Sequence, residues 1–296
     1  MNEIAFIESL SRRVKTGRGV RRGIGDDAAV LDYTRSKYML FASDMLIEGT
    51  HFVKGTAPYR VGWKAMAVNM SDIAAMGGVP RFALVSLGVP AAGRAGFLRG
   101  FYRGALAVCR RFGVSIVGGD TNASRQAVAD VSMIGEVEKD LVATRGGAKA
   151  GDLIFVTGCL GQGKKKHLDF VPRVREARDL VTKFRINSMM DISDGLSLDL
   201  SRLCRASRVG AVVYESLLPL GGDRTGVEEA VGYGEDFELL FTLSLKEARR
   251  LIKYMGKTGH PPVSMIGTVG PASKGLIIVG DEGKRRRLKP RGFLHF

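Results

Sequence analysis

A chain of 296 residues, 45% hydrophobic and 25% charged, has the composition of a globular protein with room for about two domains, and is unlike a disordered one. No run of 18 apolar residues offers a membrane span, and the first 22 residues carry Arg12, Arg13, Lys15, Arg18, Arg21 and Arg22 without the apolar stretch of a signal peptide, so a cytoplasmic location is expected. The net charge of +15 makes nucleic acid a partner to consider, but the runs Lys164–Lys166 and Arg285–Arg287 lack interleaved aromatics and any recognition signature, and are expected to be solvated surface.

In chain order, an amphipathic opening segment (Ile4, Ile7, Leu10, Val14) precedes strands at Ala28–Leu31 and Tyr38–Ala42 and an alanine-rich helix over Arg60–Met76. A strand at Phe82–Val89 stops at Pro90. A helix over Phe97–Phe112 leads to a strand at Val114–Val117, a turn at Gly118-Gly119-Asp120 and a strand at Val131–Val137. Glycines between Arg145 and Gly151 mark a boundary. Beyond it come strands Leu153–Thr157 and Met189–Asp191, helix Leu196–Arg205, strands Ala211–Tyr214 and Phe237–Leu243, helix Lys246–Met255, and strands near Met265–Val269 and Leu276–Val279. Helices and strands alternate as in an α/β protein, without a regular doubly wound pattern. Cys109, Cys159 and Cys204 have no zinc-like spacing and read as reduced thiols.

Aspartates recur at the ends of apolar runs or beside glycines, in Gly23-Ile-Gly-Asp-Asp27, Phe41-Ala-Ser-Asp44, Asn69-Met-Ser-Asp72, Gly118-Gly-Asp120 and Asp191-Ile-Ser-Asp-Gly195. Most such strings are helix caps and turns. A carboxylate against the core is costly unless it is paired or holds a metal, however, and Asp72 lies in a segment, Trp63–Met76, that is apolar on nearly every side. Magnesium, which takes oxygen ligands and combines one or two carboxylates with substrate phosphates, would suit several converging aspartates. A P-loop is the competing route to phosphate chemistry. Gly158-Cys-Leu-Gly-Gln-Gly-Lys164 has its spacing, but Lys165 stands where Ser or Thr must hold the metal, and the residues up to Pro172 make a poor helix.

Taken in order, Gly23–Asp27, Ala67-Val-Asn-Met-Ser-Asp-Ile-Ala-Ala-Met-Gly77, Gly118-Gly-Asp-Thr121, Asp191-Ile-Ser-Asp-Gly-Leu196 and Gly234-Glu-Asp-Phe-Glu-Leu-Leu240 resemble the thiamine-monophosphate kinases, in the wider group of aminoimidazole ribonucleotide and selenophosphate synthetases. The resemblance spans nearly the whole chain. It implies a mixed α/β fold of two domains: residues 1–143 for ATP, metals and a barrel-like dimer interface, and residues 144–296 as a second α/β domain. It further implies a homodimer, ATP as co-substrate, several magnesium ions, and transfer of the γ-phosphoryl group to thiamine monophosphate. By matching position, Asp27, Ser43, Asp44, Asp72, Asp120, Asp191 and Asp194 would be direct or water-mediated metal ligands. Tyr102, Gly119, Asp120, Arg145 and Ser193 would contact the nucleotide, and His51, Glu235 and Phe293 the thiamine moiety.

Three departures from the family pattern stand out. Ala42-Ser43-Asp44 has one hydroxyl where two are usual, a lysine-rich loop replaces a helix between Thr157 and Pro172, and Tyr233 interrupts a glycine-rich turn. Alternatives are a selenophosphate synthetase-like enzyme, which would need a reactive cysteine before Cys109, and a catalytically weakened, basic nucleic-acid-associated protein. The acceptor phosphate is already ionised near neutral pH, so no general base is nominated; positioning and charge neutralisation are the work required.

Overall fold

The computed structural model describes residues 3–222, 225–255, 259–280 and 282–293, apart from the side chain of Lys164. The chain opens with α1 (Glu3–Arg13), β1 (Val20–Arg22), β2 (Ala29–Asp32) and the long β3 (Lys37–Ile47). Then come α2 (Pro58–Ala75), β4 (Val79–Val89), α3 (Arg94–Phe112), β5 (Ser115–Ala123) and β6 (Val128–Glu138). These strands form a six-stranded sheet in the order β1-β2-β3-β6-β4-β5, antiparallel except between β4 and β5. Side chains alternate across a strand. On β3, Leu40, Ala42 and Leu46 therefore enter the core while Phe41, Ser43 and Met45 face outward. Asp44 shares the inward series.

A second sheet holds β7 (Leu153–Thr157), β8 (Ser188–Asp191), β9 (Val209–Tyr214), β10 (Leu239–Leu243), β11 (Val263–Pro271), β12 (Leu276–Val279) and β13 (Arg285–Arg287). Their order is β13-β12-β9-β11-β7-β10-β8. Between them run α4 (Gly163–Lys166), α5 (Val174–Lys183), α6 (Leu196–Ser207), α7 (Val227–Gly232) and α8 (Leu245–Met255). The architecture is a mixed α/β fold of two domains, and each sheet is open rather than closed into a barrel.

Helix α2 organises both halves. It touches β3, β6 and α3 of the first half and α5 and β8 of the second, and most of its residues are buried, as its sequence predicts. Pro58 sits in its first turn, where the missing N–H costs nothing. Glycines let α3 cross it closely: a Cβ on Gly62 would lie 2.0 Å from the Phe101 carbonyl oxygen, and one on Gly104 would lie 1.9 Å from that of Tyr59. Any side chain there would force the helices apart.

Several boundaries differ from the sequence reading. The expected turn at Gly118-Gly119-Asp120 is extended strand within β5, where a Cβ on Gly119 would strike the Val85 carbonyl oxygen at 1.8 Å. That glycine serves close strand approach rather than chain reversal. The strand expected from Phe237 starts only at Leu239, because Glu235 and Phe237 have φ of 66° and 50°, outside the strand region. Helix α5 was not foreseen. Its buried Val174, Ala177, Leu180 and Val181 nevertheless follow helical spacing.

Candidate active site

Two adjoining cavities, of about 760 and 470 Å³, share Ser43, Asp44, Asp72, Ser193 and Asp194 in their walls. Apart from Ser43, which faces outward, the shared residues stand at the end or on the inner face of an element: Asp44 on β3, Asp72 on α2, Ser193 and Asp194 in the turn between β8 and α6. The larger cavity continues to Lys64, His51, Glu235 and Phe293; the smaller continues to Asp27, Arg145, Arg202, Arg205 and Ile4 and Ile7 of α1.

Where the cavities meet, carboxylate oxygens of Asp27, Asp72 and Asp191 all lie within 4.8 Å of one another. Asp72 is pushed well above the usual carboxylate range, first by burial and then by the charges of Asp44, Asp191 and Asp27. Asp191 is raised in the same way, by burial and then by Asp27, although Ser71 Oγ donates to it at 2.5 Å. Arg145 donates to Asp27 Oδ1 from Nη2 at 2.6 Å, while Asp27 Oδ2 is buried without a hydrogen-bond partner. Crowded oxygens with too few donors are a poor arrangement by themselves and a good one for a hard, oxygen-preferring dication. The donor set therefore fits magnesium.

Around this cluster, one carboxylate shapes the turn after β8. Asp199 Oδ2 accepts from the backbone N–H groups of Asp194 and Gly195, both at 3.0 Å, and Arg202 bridges Asp199 and Asp194. Burial first, then the charge of Asp194, pushes Asp199 up to about 7. Asp194 is thus held in place by groups that sequence reasoning overlooked.

The larger cavity has a different character. Ile47 N–H donates to His51 Nδ1 at 3.0 Å, which places the proton of a neutral ring on Nε2. Phe293 N–H donates to the Asp194 carbonyl at 3.0 Å, and its ring lies 6.3 Å from that of His51, tilted 59°. The chain thus returns to the wall of the larger cavity at Phe293, and Leu294–Phe296 lie outside the described residues. Glu235 N–H donates to the Ser193 carbonyl at 2.7 Å, and its carboxylate is engaged by Lys64 Nζ and by His167 Nδ1 at 3.0 Å. Glu235 and Phe237 are left-handed, and their N–H groups are tied to the turn after β8, Glu235 to the Ser193 carbonyl and Phe237 to the Ile192 carbonyl at 2.9 Å.

The near-P-loop has a structural role. Asp236 accepts from the backbone N–H groups of Gly161, Gln162 and Gly163 at 2.8, 2.8 and 2.9 Å. An internal carboxylate occupies the N–H groups that a phosphate would need. Burial still pushes Asp236 up to about 6 against those three bonds.

Not every expected residue reaches the cleft. Ser43 directs its hydroxyl to the outer face of the sheet, 3.3 Å from Asp130 Oδ1 and 3.2 Å from Ser132 Oγ, although it borders both cavities. Gly119 and Asp120 lie on the exposed edge strand β5, three strands from β3 and hence roughly 14 Å away across the sheet. Asp120 accepts from Thr121 N–H and Asn122 Nδ2. Tyr102, on α3, packs edge-on against Phe101 at 5.6 Å and lines neither cavity. Lys64 and His167 are the principal omissions. Lys64 lies in the same all-round buried helix that singled out Asp72, and the same argument applied to it.

Fold and acidic cleft define a class. The family model described as "AIR synthase related protein, N-terminal domain" matches residues 25–137, and its C-terminal counterpart matches residues 142–280. Among curated relatives, the thiamine-monophosphate kinases of Bacillus subtilis and Aquifex aeolicus are 33% and 31% identical, over 100% of this chain and 100% and 98% of theirs. A solved structure described as AaThiL complexed with AMPPCP and TMP superposes with a TM-score of 0.85 at 30% identity, covering 100% of this chain and 97% of the other. A HypE–HypF complex chain, 19% identical with a TM-score of 0.78, shares the fold. The chain belongs to the thiamine-monophosphate kinase family within the AIR synthase related proteins. Among the described residues no helix is long and apolar enough to cross a membrane.

Proposed function

We propose that this protein transfers the γ-phosphoryl group of ATP to the phosphate of thiamine monophosphate, giving thiamine diphosphate and ADP. The observation that carries the reading is the carboxylate cluster at the junction of two cavities, one edged by arginines and one by His51, Glu235 and Phe293. Full-length similarity to thiamine-monophosphate kinases supports it. ATP would occupy the smaller cavity, its phosphates toward Arg145, Ser193 and the cluster. Asp27, Asp44, Asp72, Asp191 and Asp194 would hold magnesium, which supplies charge neutralisation between two anionic reactants. The protein's own part is to align them and to exclude the wrong geometry. A coupled assay for thiamine diphosphate with ATP, thiamine monophosphate and magnesium tests this directly; ADP release without thiamine diphosphate would refute it.

Phe293 is assigned to the thiamine end, where a flat ring can stack beside a cationic heterocycle. Phe293→Ala is expected to raise KM for thiamine monophosphate about tenfold, roughly 1.4 kcal/mol, with KM for ATP unchanged. Equal losses for both substrates together with a lowered melting temperature would make it an anchor of the chain instead.

A homodimer is part of the same reading. Phe41, Met45, Phe82, Leu84 and Val117 are 44–59% exposed on the first sheet and its β5 edge, an apolar surface that a second copy would cover. That arrangement leaves Gly119 and Asp120 on the covered edge, available to a neighbouring cleft. Sedimentation equilibrium should return twice the mass of one chain; the mass of a single chain at micromolar concentration would remove this part.

A further inference from the structure

The least exposed charged residue lining the larger cavity is assigned no role by the family motifs. Lys64 is 1% exposed, and it lies two helical turns before Asp72 on the face of α2 that also presents Val68 to the larger cavity. Its ammonium has three N–H donors and three polar neighbours: the His51 carbonyl oxygen at 3.0 Å and Glu235 Oε1, which accept, and His167 Nδ1 at 2.7 Å, which accepts when unprotonated. Those partners come from the β3–α2 connection, the end of α4 and the loop before β10. One cation therefore ties together three segments that are distant in sequence.

Such a group is expensive to bury. Burial lowers the Lys64 pKa, and the charge and hydrogen bond of Glu235, with the charge of Asp44, oppose that loss. With its donors directed at the protein, Lys64 is occupied in holding walls. Two of those walls, His51 and Glu235, form the acceptor end of the cleft, and Glu235 is also held at a φ of 66°. His167 Nδ1 lies against both members of the pair, 2.7 Å from Lys64 Nζ and 3.0 Å from Glu235 Oε2; unprotonated it accepts from Lys64, protonated it donates to Glu235, one bond at a time.

We propose that Lys64 is the positioning residue of the acceptor site, fixing the Glu235 carboxylate and the His51 main chain so that the thiamine moiety meets a preformed surface. The inference rests on the proposed kinase reading and adds a residue to it. Lys64 acts here through Glu235, not by touching the acceptor phosphate.

The test is a double-mutant cycle in the full chain, with calorimetric binding of thiamine monophosphate, thiamine and a non-hydrolysable ATP analogue. Lys64→Met is expected to weaken both thiamine compounds about thirtyfold, as loss of one partner of a buried ion pair does. The ATP analogue should bind within about twofold of wild type. Glu235→Gln should weaken them about tenfold, and the double variant should lie within about twofold of the worse single variant, since the two residues act as one unit. Losses that multiply, or a loss confined to the phosphorylated compound, would overturn the proposal in favour of direct phosphate contact. If Lys64→Met alone fails to fold, the double variant is compared with Glu235→Gln: a further loss of no more than about sixfold supports the proposal, and a further loss of about thirtyfold overturns it. A wild-type protein that binds neither thiamine compound would sink the kinase reading; the positioning role is then judged on a crystal structure of the Lys64→Met or double variant, where an unmoved residue 235 and His51 carbonyl would overturn it.

Discussion

Asp72→Asn is expected to lower thiamine diphosphate formation by about a thousandfold while raising the melting temperature of the metal-free protein. The two effects have one cause. Asp72 is forced toward the protonated state by burial and by Asp44, Asp191 and Asp27, so its charge destabilises the fold whenever no cation offsets it. An amide keeps the shape, removes that repulsion and removes a metal ligand. A folded variant retaining activity within about tenfold of wild type would exclude Asp72 from the metal site.

Magnesium should stabilise the protein more as pH rises. The sign follows from the raised carboxyl groups of the cluster: Asp72 and Asp191 lie well above the ordinary range. Below the unfolded value of about 4, both states hold these protons and the groups contribute nothing. As pH climbs from there through the folded values, the unfolded chain releases protons that the folded chain retains, and metal-free stability falls. A cation that replaces those protons reverses the loss. At a hundredfold excess over its dissociation constant, it should add about 2.7 kcal/mol at pH 7.5, a rise of roughly 5 °C. Near pH 5, where protons compete, the gain should be small. Scanning calorimetry with and without magnesium at both pH values decides the matter; a gain independent of pH would mean that these carboxylates do not bind it.

The parts of this site that were legible in the sequence were those written in local strings. Asp72 declared itself because a mid-helix carboxylate in an apolar segment needs a partner. Asp27, Asp44, Asp191 and Asp194 followed from the same family of strings, and the expected end of α3 at Phe112 is the observed one, with Gly113 beyond it at a φ of 70° that suits a helix terminus. What was not legible depended on residues far apart. Nothing near Gly158–Lys164 announces that Asp236 will take its N–H groups, and nothing near Glu235 announces His167. The glycine pair at 118–119 was misread because glycine marks both turns and close strand contacts, and only the neighbouring strand β4 decides between them. Lys64 is a different failure. The physical argument was available, but long stems usually carry lysine to the surface.

Helix α2 carries Lys64 at one end of the cleft and Asp72 at the other, eight residues apart and so about 12 Å along a rigid axis. The crossing at Gly62 and Gly104 clamps that axis to α3. On the proposed reading, the span from Lys64, which would hold the thiamine-binding walls, to Asp72, which would hold the metal, is set by that helix axis. Acceptors would be sorted by reach: one lacking the phosphate falls short of the carboxylates, and one already carrying two phosphates overshoots them. Discrimination among vitamers would then be read from backbone geometry, and lengthening α2 by one residue should disturb it more than any single change in the cavity walls.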